Sequence, residues 1–151
     1  MKKEKSTEKE NLDKFINDCK TLGLKITPQR LAIYKEVLNA IDHPSTETIY
    51  RNIKGEHPNI SFDTVNRTLL TFAEMGIIQI VEGSGGVRRF DPNTKPHHHF
   101  HCIKCGAIID FYYKKYNGLE IPKEVQEKFL VKKIRVVIEG ICDSCRKSLK
   151  I

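Results

Sequence analysis

The sequence predicts an α+β protein built from two small units. Apolar residues recur at helical spacing over the first half of the chain and change to short extended runs near residue 77. A segment with two prolines, residues 91–96, separates the halves. The remaining stretch of about 55 residues is too short to bury a large hydrophobic core of its own, and it carries two Cys-x-x-Cys pairs. We therefore expect a helical unit with a small β hairpin, followed by a metal-stapled α/β unit.

The first half is expected to hold four helices. Residues 1–11 are almost entirely polar and predict a disordered tail. Capping residues and a proline at a helix start support the helix boundaries that follow. The helices are predicted from Leu12 to Leu22, from Thr27 to Ile41, from about Thr46 to Lys54, and from Ser61 to the residue before Gly76.

A β hairpin is predicted directly after the fourth helix. Ile77 to Val81 is a strand candidate, residues 83–86 form a glycine-rich turn, and Val87 to Phe90 can pair back. Helices followed by such a ribbon predict a winged helix over residues 12–92. The helix from Ser61 takes the recognition position and the hairpin forms the wing.

The second unit is predicted over residues 97–151, after a linker at 93–96. Ala107 to Tyr112 and Lys133 to Glu139 have the pattern of strands, and Ile121 to Phe129 has that of a short helix. Because this unit is small, we expect a metal ion, a partner subunit or both to stabilise it.

Charge and hydropathy restrict the possible classes of protein. The formal charge of the chain is +7, but residues 1–95 carry 15 basic and 13 acidic side chains, so any nucleic-acid argument depends on placed residues. No apolar run is long enough for a spanning helix, and the N-terminus lacks the apolar stretch of a secretory signal. We expect a cytoplasmic protein without a membrane partner.

The two cysteine pairs predict a structural zinc site. Each Cys-x-x-Cys supplies two thiolates from a single turn, and four thiolates complete a closed tetrahedral site for Zn²⁺. A redox dithiol is the alternative, but two matched pairs in one small unit disfavour it. The expected zinc ligands are Cys102, Cys105, Cys142 and Cys145.

A histidine run lies just before the first cysteine pair. In a strand, His97 and His99 share one face and His98 lies on the other, so two imidazoles can reach one ion. A solvated polar strand is the alternative interpretation of this run.

The fourth helix and the wing carry candidate DNA contacts. Polar residues near the N-terminal end of that helix face outward, where Arg can pair with guanine and Asn with adenine. Arginines on the wing can contact phosphate or a minor groove. The expected DNA-binding residues are Lys25, Thr64, Asn66, Arg67, Arg88 and Arg89.

The order of motifs from residue 12 to residue 147 resembles the ferric uptake regulator (Fur) family. The motifs are Gly23-Leu-Lys-Ile-Thr-Pro-Gln-Arg30, His43-Pro44, Ile60-Ser-Phe-Asp-Thr-Val-Asn-Arg-Thr-Leu69, Arg89-Phe-Asp91, His97-x-His99-x-x-Cys102-x-x-Cys105-Gly106 and Cys142-x-x-Cys145. The resemblance implies a homodimeric metalloregulator that binds double-stranded operator DNA, with no organic cofactor and no enzymatic activity. It also implies that the C-terminal unit is the dimerisation domain.

The same resemblance implies a regulatory metal site at the hinge between the two units. Its ligands, carried over by motif, are His43, Asp91, His97, His99 and Asp110. Three imidazoles and two carboxylates suit Fe²⁺ or Mn²⁺, and Zn²⁺ is possible. Because the ligands come from both units, metal binding would be coupled to the relative orientation of the two units.

The acid after Arg89-Phe90 is similar to that of the peroxide-sensing (PerR) branch, which has Asp rather than Glu there. The branch implies that a ligating histidine is oxidised when Fe²⁺ meets hydrogen peroxide, and the candidates are His43 and His97. Two departures matter: many relatives have Tyr at Asn66, and several have His at Ile134, where an additional metal site is described.

Alternative functions stay open at this point. The hinge site also suits an iron-responsive or zinc-responsive uptake regulator without peroxide sensing. A metal hydrolase or oxygenase uses similar His and carboxylate sets, but does not need outward Asn66 and Arg67. A zinc-stapled protein-interaction module would not bind DNA at all.

Overall fold

The computed structural model describes residues 7–82 and 86–150. The chain forms two compact units, one that ends at Thr94 and one that begins at Lys95. The predicted α+β class is confirmed. Among the described residues, no helix has both the length and the apolar character needed to cross a bilayer.

The first unit contains the four expected helices, and the first of them begins earlier than expected. Helix α1 starts at Glu8, so residues 8–11 are helical rather than part of a tail. The reason is a capping box, in which Glu10 donates its backbone N–H to the Thr7 hydroxyl and Thr7 donates its own N–H to the Glu10 carboxylate. The helices are α1 Glu8–Thr21, α2 Pro28–Asn39, α3 Thr46–Ile53 and α4 Phe62–Glu74.

Each of the other three helices begins at a side-chain cap. The Thr27, Ser45 and Ser61 hydroxyls accept the backbone N–H three residues ahead. Helix α4 ends where Gly76 adopts a φ of +76°, and Ile77 then donates its N–H to the Phe72 carbonyl at 2.8 Å. Because this contact holds the backbone of Ile77 at the helix end, the next strand starts at Gln79 rather than at residue 77.

The hairpin consists of β1 Gln79–Glu82 and β2 Arg88–Asp91, which pair antiparallel. The register sets Gln79 opposite Asp91 and Ile80 opposite Phe90. The predicted glycine turn falls mostly on residues 83–85, which lie outside the described residues. Phe90 is fully buried and donates its N–H to the Pro44 carbonyl at 2.9 Å, which fastens β2 to the loop before α3.

An aromatic stack organises the core of the first unit. Phe15 lies on Tyr34 at 4.1 Å between ring centroids, and Phe72 meets Phe15 edge-on at 5.4 Å. Burial raises the pKa of the Tyr34 hydroxyl to about 12. Since Phe72 anchors α4 in this stack together with buried Val65 and Leu69, the polar side chains of α4 lie on its outer face.

The second unit holds a three-stranded sheet in the order β4-β3-β5. Strands β3 and β4 are antiparallel, whereas β3 and β5 are parallel. The parallel register sets Cys102 opposite Gly140, two residues before Cys142. The elements are β3 His98–Cys102, β4 Ile108–Phe111, a 3₁₀ helix Lys114–Gly118, α5 Lys123–Lys128, β5 Val137–Gly140 and α6 Asp143–Ser148.

Strand β5 lies further along the chain than expected. The parallel pairing with β3 runs from Val137 opposite His99 to Gly140 opposite Cys102. The His99 N–H also donates to the Val136 carbonyl at 3.5 Å, so contact with β3 begins one residue before β5. The 3₁₀ helix and α6 were not predicted, because six residues or fewer carry too little periodicity.

The second unit has a sparse core. Among its described residues, the buried apolar side chains are Ile108, Cys102 and Cys142. Many large apolar side chains are exposed instead, including Ile109 on β4 and Val137 and Ile138 on β5. A unit with so little buried apolar surface depends on other sources of stability.

Candidate metal centres and nucleic-acid interface

The four predicted zinc ligands lie together in the second unit. Their sulfur atoms are all within 4.8 Å of one another. Cys102 is the last residue of β3 and Cys105 lies in the turn that follows, whereas the other pair lies at the start of α6, where Cys142 is the N-cap residue. The turn after β3 closes through the Gly106 N–H, which donates to the Cys102 carbonyl at 2.9 Å, and Gly106 has a φ of +74°.

The spacing of the sulfur atoms fits a tetrahedral ion. A Zn–S bond of about 2.3 Å implies sulfur atoms about 3.8 Å apart. The Sγ atoms of Cys105 and Cys142 are 3.8 Å apart. The described cysteines form no disulfide. Four thiolates fill every position of a tetrahedral ion, so this donor set supports a structural role and not a catalytic one.

The backbone around the cluster favours a thiolate at Cys102. The Cys142 N–H donates to the Cys102 Sγ at 3.3 Å, and this contact is the largest of those that lower the pKa of Cys102, to about 6. The pKa of Cys145 is raised to about 12, chiefly by its contact with the Cys142 thiol. A bound cation would stabilise all four thiolates, because the thiolate is the ligating form.

The first unit contributes one imidazole and one carboxylate of the predicted regulatory set. His43 lies in the loop between α2 and α3, and Asp91 is the last residue of β2. Their Nε2 and Oδ2 atoms are 3.2 Å apart, and both side chains are almost fully buried. The other carboxylate oxygen of Asp91, Oδ1, accepts the Asn93 N–H at 2.8 Å, and this bond orients the carboxylate.

The second unit contributes two imidazoles and one carboxylate. The Oδ1 of Asp110 on β4 lies 3.3 Å from the Nε2 of His99 and 3.8 Å from that of His97. These pairs are adjacent because β3 and β4 pair in register, with His99 opposite Asp110. His98 lies away from them and donates to the Tyr113 carbonyl at 3.2 Å, as the alternation of a strand requires.

The backbone sets the tautomer of His97. Its Nδ1 lies 2.7 Å from the Lys95 carbonyl, which can only accept, so Nδ1 carries the hydrogen. Nε2 is then the ring nitrogen that can ligate an ion, which is the usual arrangement around metal-ligating histidines. Each unit thus carries part of a donor set suited to Fe²⁺, Mn²⁺ or Zn²⁺.

Three of the predicted DNA-binding residues, Thr64, Asn66 and Arg67, lie near the N-terminal end of α4, and each makes a side-chain hydrogen bond. Arg67 donates its Nε–H to Asp63 at 2.8 Å along the helix surface. Asn66, which is half-buried, accepts the Thr46 hydroxyl on its Oδ1 at 3.1 Å. Thr64 is exposed and its hydroxyl lies 2.9 Å from that of Ser61. Lys25 and Arg88 are exposed.

Arg89 occupies a place that the sequence does not indicate. The side chain is half-buried and donates from Nη1 to the His43 carbonyl at 3.2 Å. The adjacent Nε atom is buried without a hydrogen-bond partner among the described residues. The structure therefore places this guanidinium against the loop that carries His43, whereas sequence reasoning assigned it to DNA. No local signal marks this contact, because the two residues are 46 positions apart.

The chain is similar in sequence and in fold to known proteins. The model of the ferric uptake regulator family matches residues 21–139. The peroxide-responsive repressor PerR of Staphylococcus aureus is 34% identical over 135 residues, which cover 89% of this chain and 91% of that protein. Among solved structures, the Helicobacter pylori Fur, reported with three functional metal-binding sites, is 26% identical with a TM-score of 0.73 and covers 97% of each chain. The Streptococcus pyogenes PerR is 27% identical with a TM-score of 0.51, over 87% of this chain and 90% of its own.

Proposed function

The chain belongs to the ferric uptake regulator family, and we propose that it is a metal-dependent transcriptional repressor that senses peroxide. It binds a palindromic operator as a homodimer when its regulatory metal is present. Oxidation of a ligating histidine then releases the DNA. The observation that carries the proposal is the division of the donor set, with an Asp rather than a Glu in the first unit and a histidine pair in the second.

One ion bound by His43, Asp91, His97, His99 and Asp110 would link the two units. His43 and Asp91 alone offer too few ligands for Fe²⁺ or Mn²⁺, which take more than two protein ligands in the sites that use imidazole and carboxylate. An ion that needs residues from both units favours the arrangement in which those residues converge. Metal binding would therefore change the orientation of the winged helix.

The peroxide step depends on what lies nearest the ion. Fe²⁺ held by these residues would activate hydrogen peroxide: overall, the peroxide would transfer one oxygen atom to a ring carbon, a two-electron oxidation of the ring, and would itself be reduced to water. The rings of His43 and His97 are ligating groups and are the proposed acceptors of the oxygen atom. Loss of a ligating imidazole weakens metal binding, and the repressor leaves the operator.

DNA binding is assigned to α4 and dimerisation to the second unit. Helix α4 presents Thr64, Asn66 and Arg67 on a face that the core leaves outside. The exposed apolar residues of β4 and β5 give the second unit a surface to bury against a second copy. A dimer also matches a palindromic operator, because two recognition helices related by a two-fold axis read two half-sites.

The deciding experiment is mass spectrometry of the protein treated with hydrogen peroxide. The Fe²⁺-loaded protein is expected to gain one oxygen atom on His43 or His97, and the Mn²⁺-loaded protein is expected to gain none. In parallel, gel retardation with a palindromic AT-rich duplex is expected to require metal and to be lost after oxidation of the Fe²⁺ form. Zinc content is measured in the same samples and is expected to stay constant.

The other outcomes separate the alternatives. Oxidation of the cysteines with release of zinc would move sensing to the four-cysteine cluster and refute the histidine assignment. Metal-dependent retardation without histidine oxidation would make the protein an iron-responsive or zinc-responsive regulator. An absence of retardation under every metal would refute the repressor function.

A further inference from the structure

We propose that Asn66 reads the operator only as a hydrogen-bond donor and therefore selects guanine at its contact position. This inference rests on the proposed function, because it specifies which base the α4 helix reads. It differs from the general pairing of asparagine with adenine that the sequence suggests.

The contact between Thr46 and Asn66 sets the orientation of the amide. Thr46 is the first residue of α3, and its side chain is buried against α4. Its hydroxyl lies 3.1 Å from the Oδ1 of Asn66, which is the hydrogen-bond partner of this hydroxyl among the described residues. With the amide turned the other way, its NH₂ would face the hydroxyl and leave the buried hydroxyl hydrogen without an acceptor. The amide therefore keeps Oδ1 toward α3.

The outward side of Asn66 then offers N–H groups alone. Bidentate pairing with adenine needs both halves of the amide, with Oδ1 accepting from N6 and Nδ2 donating to N7. Thr46 holds Oδ1 on the inner side, so that pair cannot form. Adenine offers such an NH₂ group one acceptor, N7, beside its own N6 donor, whereas guanine presents two adjacent acceptors, N7 and O6. Thymine offers one acceptor and a methyl group, and cytosine offers a donor.

The neighbouring polar groups of α4 make contacts that are independent of Thr46. Arg67 is held along the helix by Asp63, and the hydroxyl of Thr64 lies against that of Ser61. Neither contact involves Thr46. A substitution at Thr46 is therefore expected to alter base preference at one position in each half-site and to leave the rest of the site unchanged.

The test uses full-length protein loaded with Mn²⁺ and a library of palindromic duplexes. The contact position is defined as the one at which Asn66→Ala loses base preference. Guanine is expected there in the parent, by about tenfold or more over adenine, which is the scale of one well-formed base contact. Thr46→Val removes the hydroxyl and frees the amide to turn, so its guanine preference is expected to fall to about twofold or to change to adenine. Thr46→Ser keeps the hydroxyl and is expected to keep the preference.

Each outcome distinguishes this inference from the function on which it rests. No metal-dependent retardation by the parent overturns both. Metal-dependent retardation with adenine at the contact position, or with no position sensitive to Asn66→Ala, overturns the inference alone. Guanine preference that persists in folded Thr46→Val also overturns it. If Thr46→Val does not fold, Thr46→Ala takes its place, and the base selected by the parent remains a test by itself.

Discussion

Removal of one zinc ligand is expected to unfold the second unit. Cys142→Ser takes away a thiolate and also alters the N-cap position of α6, whose backbone N–H faces the sulfur of Cys102. A serine hydroxyl is a poor ligand for Zn²⁺ at neutral pH, because it stays protonated where a cysteine ligates as the thiolate. We expect loss of the ion, loss of order from Lys95 onward and loss of dimerisation.

The size of the effect follows from what else stabilises this unit. Ile108 is the one buried apolar residue other than cysteine among its described residues, and full burial of such a side chain supplies about 2 kcal/mol. Zinc bound to a structural four-ligand site contributes about 10–16 kcal/mol at neutral pH. That is as large as the whole free energy of unfolding of an ordinary domain, about 5–15 kcal/mol. The apolar core of one subunit cannot replace it.

The assay combines zinc content, oligomeric state and limited proteolysis. Parent protein is expected to hold one zinc per chain after mild chelation, to migrate as a dimer and to resist cleavage beyond Lys95. Cys142→Ser and Cys102→Ser are expected to contain no zinc and to be cleaved there. Cys19→Ala is the matched control, since Cys19 is buried in α1 and is not one of the four clustered cysteines, so this variant is expected to keep one zinc per chain. A folded, dimeric Cys142→Ser protein without zinc would refute the reasoning.

Three further predictions concern the first unit. Asp91→Ala is expected to abolish metal-dependent DNA retardation while one zinc per chain is retained, because the two donor sets share no residue; joint loss of both metals would contradict this separation. Arg89→Met removes the donor to the His43 carbonyl and is expected to weaken binding of the regulatory metal about tenfold in a direct metal titration. Arg88→Met is the control. If Arg89→Met bound the metal normally but the operator more weakly, Arg89 would be a DNA contact instead. Tyr34 keeps its proton up to about pH 12 when folded, whereas the unfolded chain releases it near pH 10, so the parent loses stability as the pH rises between these values. Over that pH range the free energy of unfolding of Tyr34→Phe, measured by chemical denaturation, is expected to fall by about 2 kcal/mol less than that of the parent. If the two proteins lost stability in parallel, the result would contradict the assignment.

Local signals predict most of the first unit, and the misses have physical causes. Residues 8–11 look like a polar tail because their charged side chains hide the reciprocal capping of Thr7 and Glu10. Ile77 and Ile78 look like a strand because they are apolar. Their N–H groups instead donate to the Phe72 carbonyl at the end of α4, and both side chains pack in the core. The sequence of apolar and polar side chains does not show which carbonyl accepts each backbone N–H.

One candidate site could also be predicted from local sequence, whereas the geometry of the other depends on the fold. The cysteine cluster is predicted by spacing alone, because each Cys-x-x-Cys pair is set by a single turn and needs little from the rest of the fold. The pairing of His99 with Asp110 depends instead on the register of β3 with β4. The assignment of all five regulatory ligands to one ion comes from family resemblance and remains a prediction.

The sequence by itself determined the order of helices and strands in the first unit, the thiolate ligand type and the polar outer face of α4, since helical period and ligand spacing are properties of short segments. Only the tertiary structure decided what the polar side chains do. Thr46 lies 20 positions from Asn66 and sets the orientation of its amide. Arg89 lies 46 positions from His43 and reaches the carbonyl of that metal-ligand candidate. Such contacts exist because packing brings separate elements within hydrogen-bond distance, and no periodicity along the chain encodes that distance.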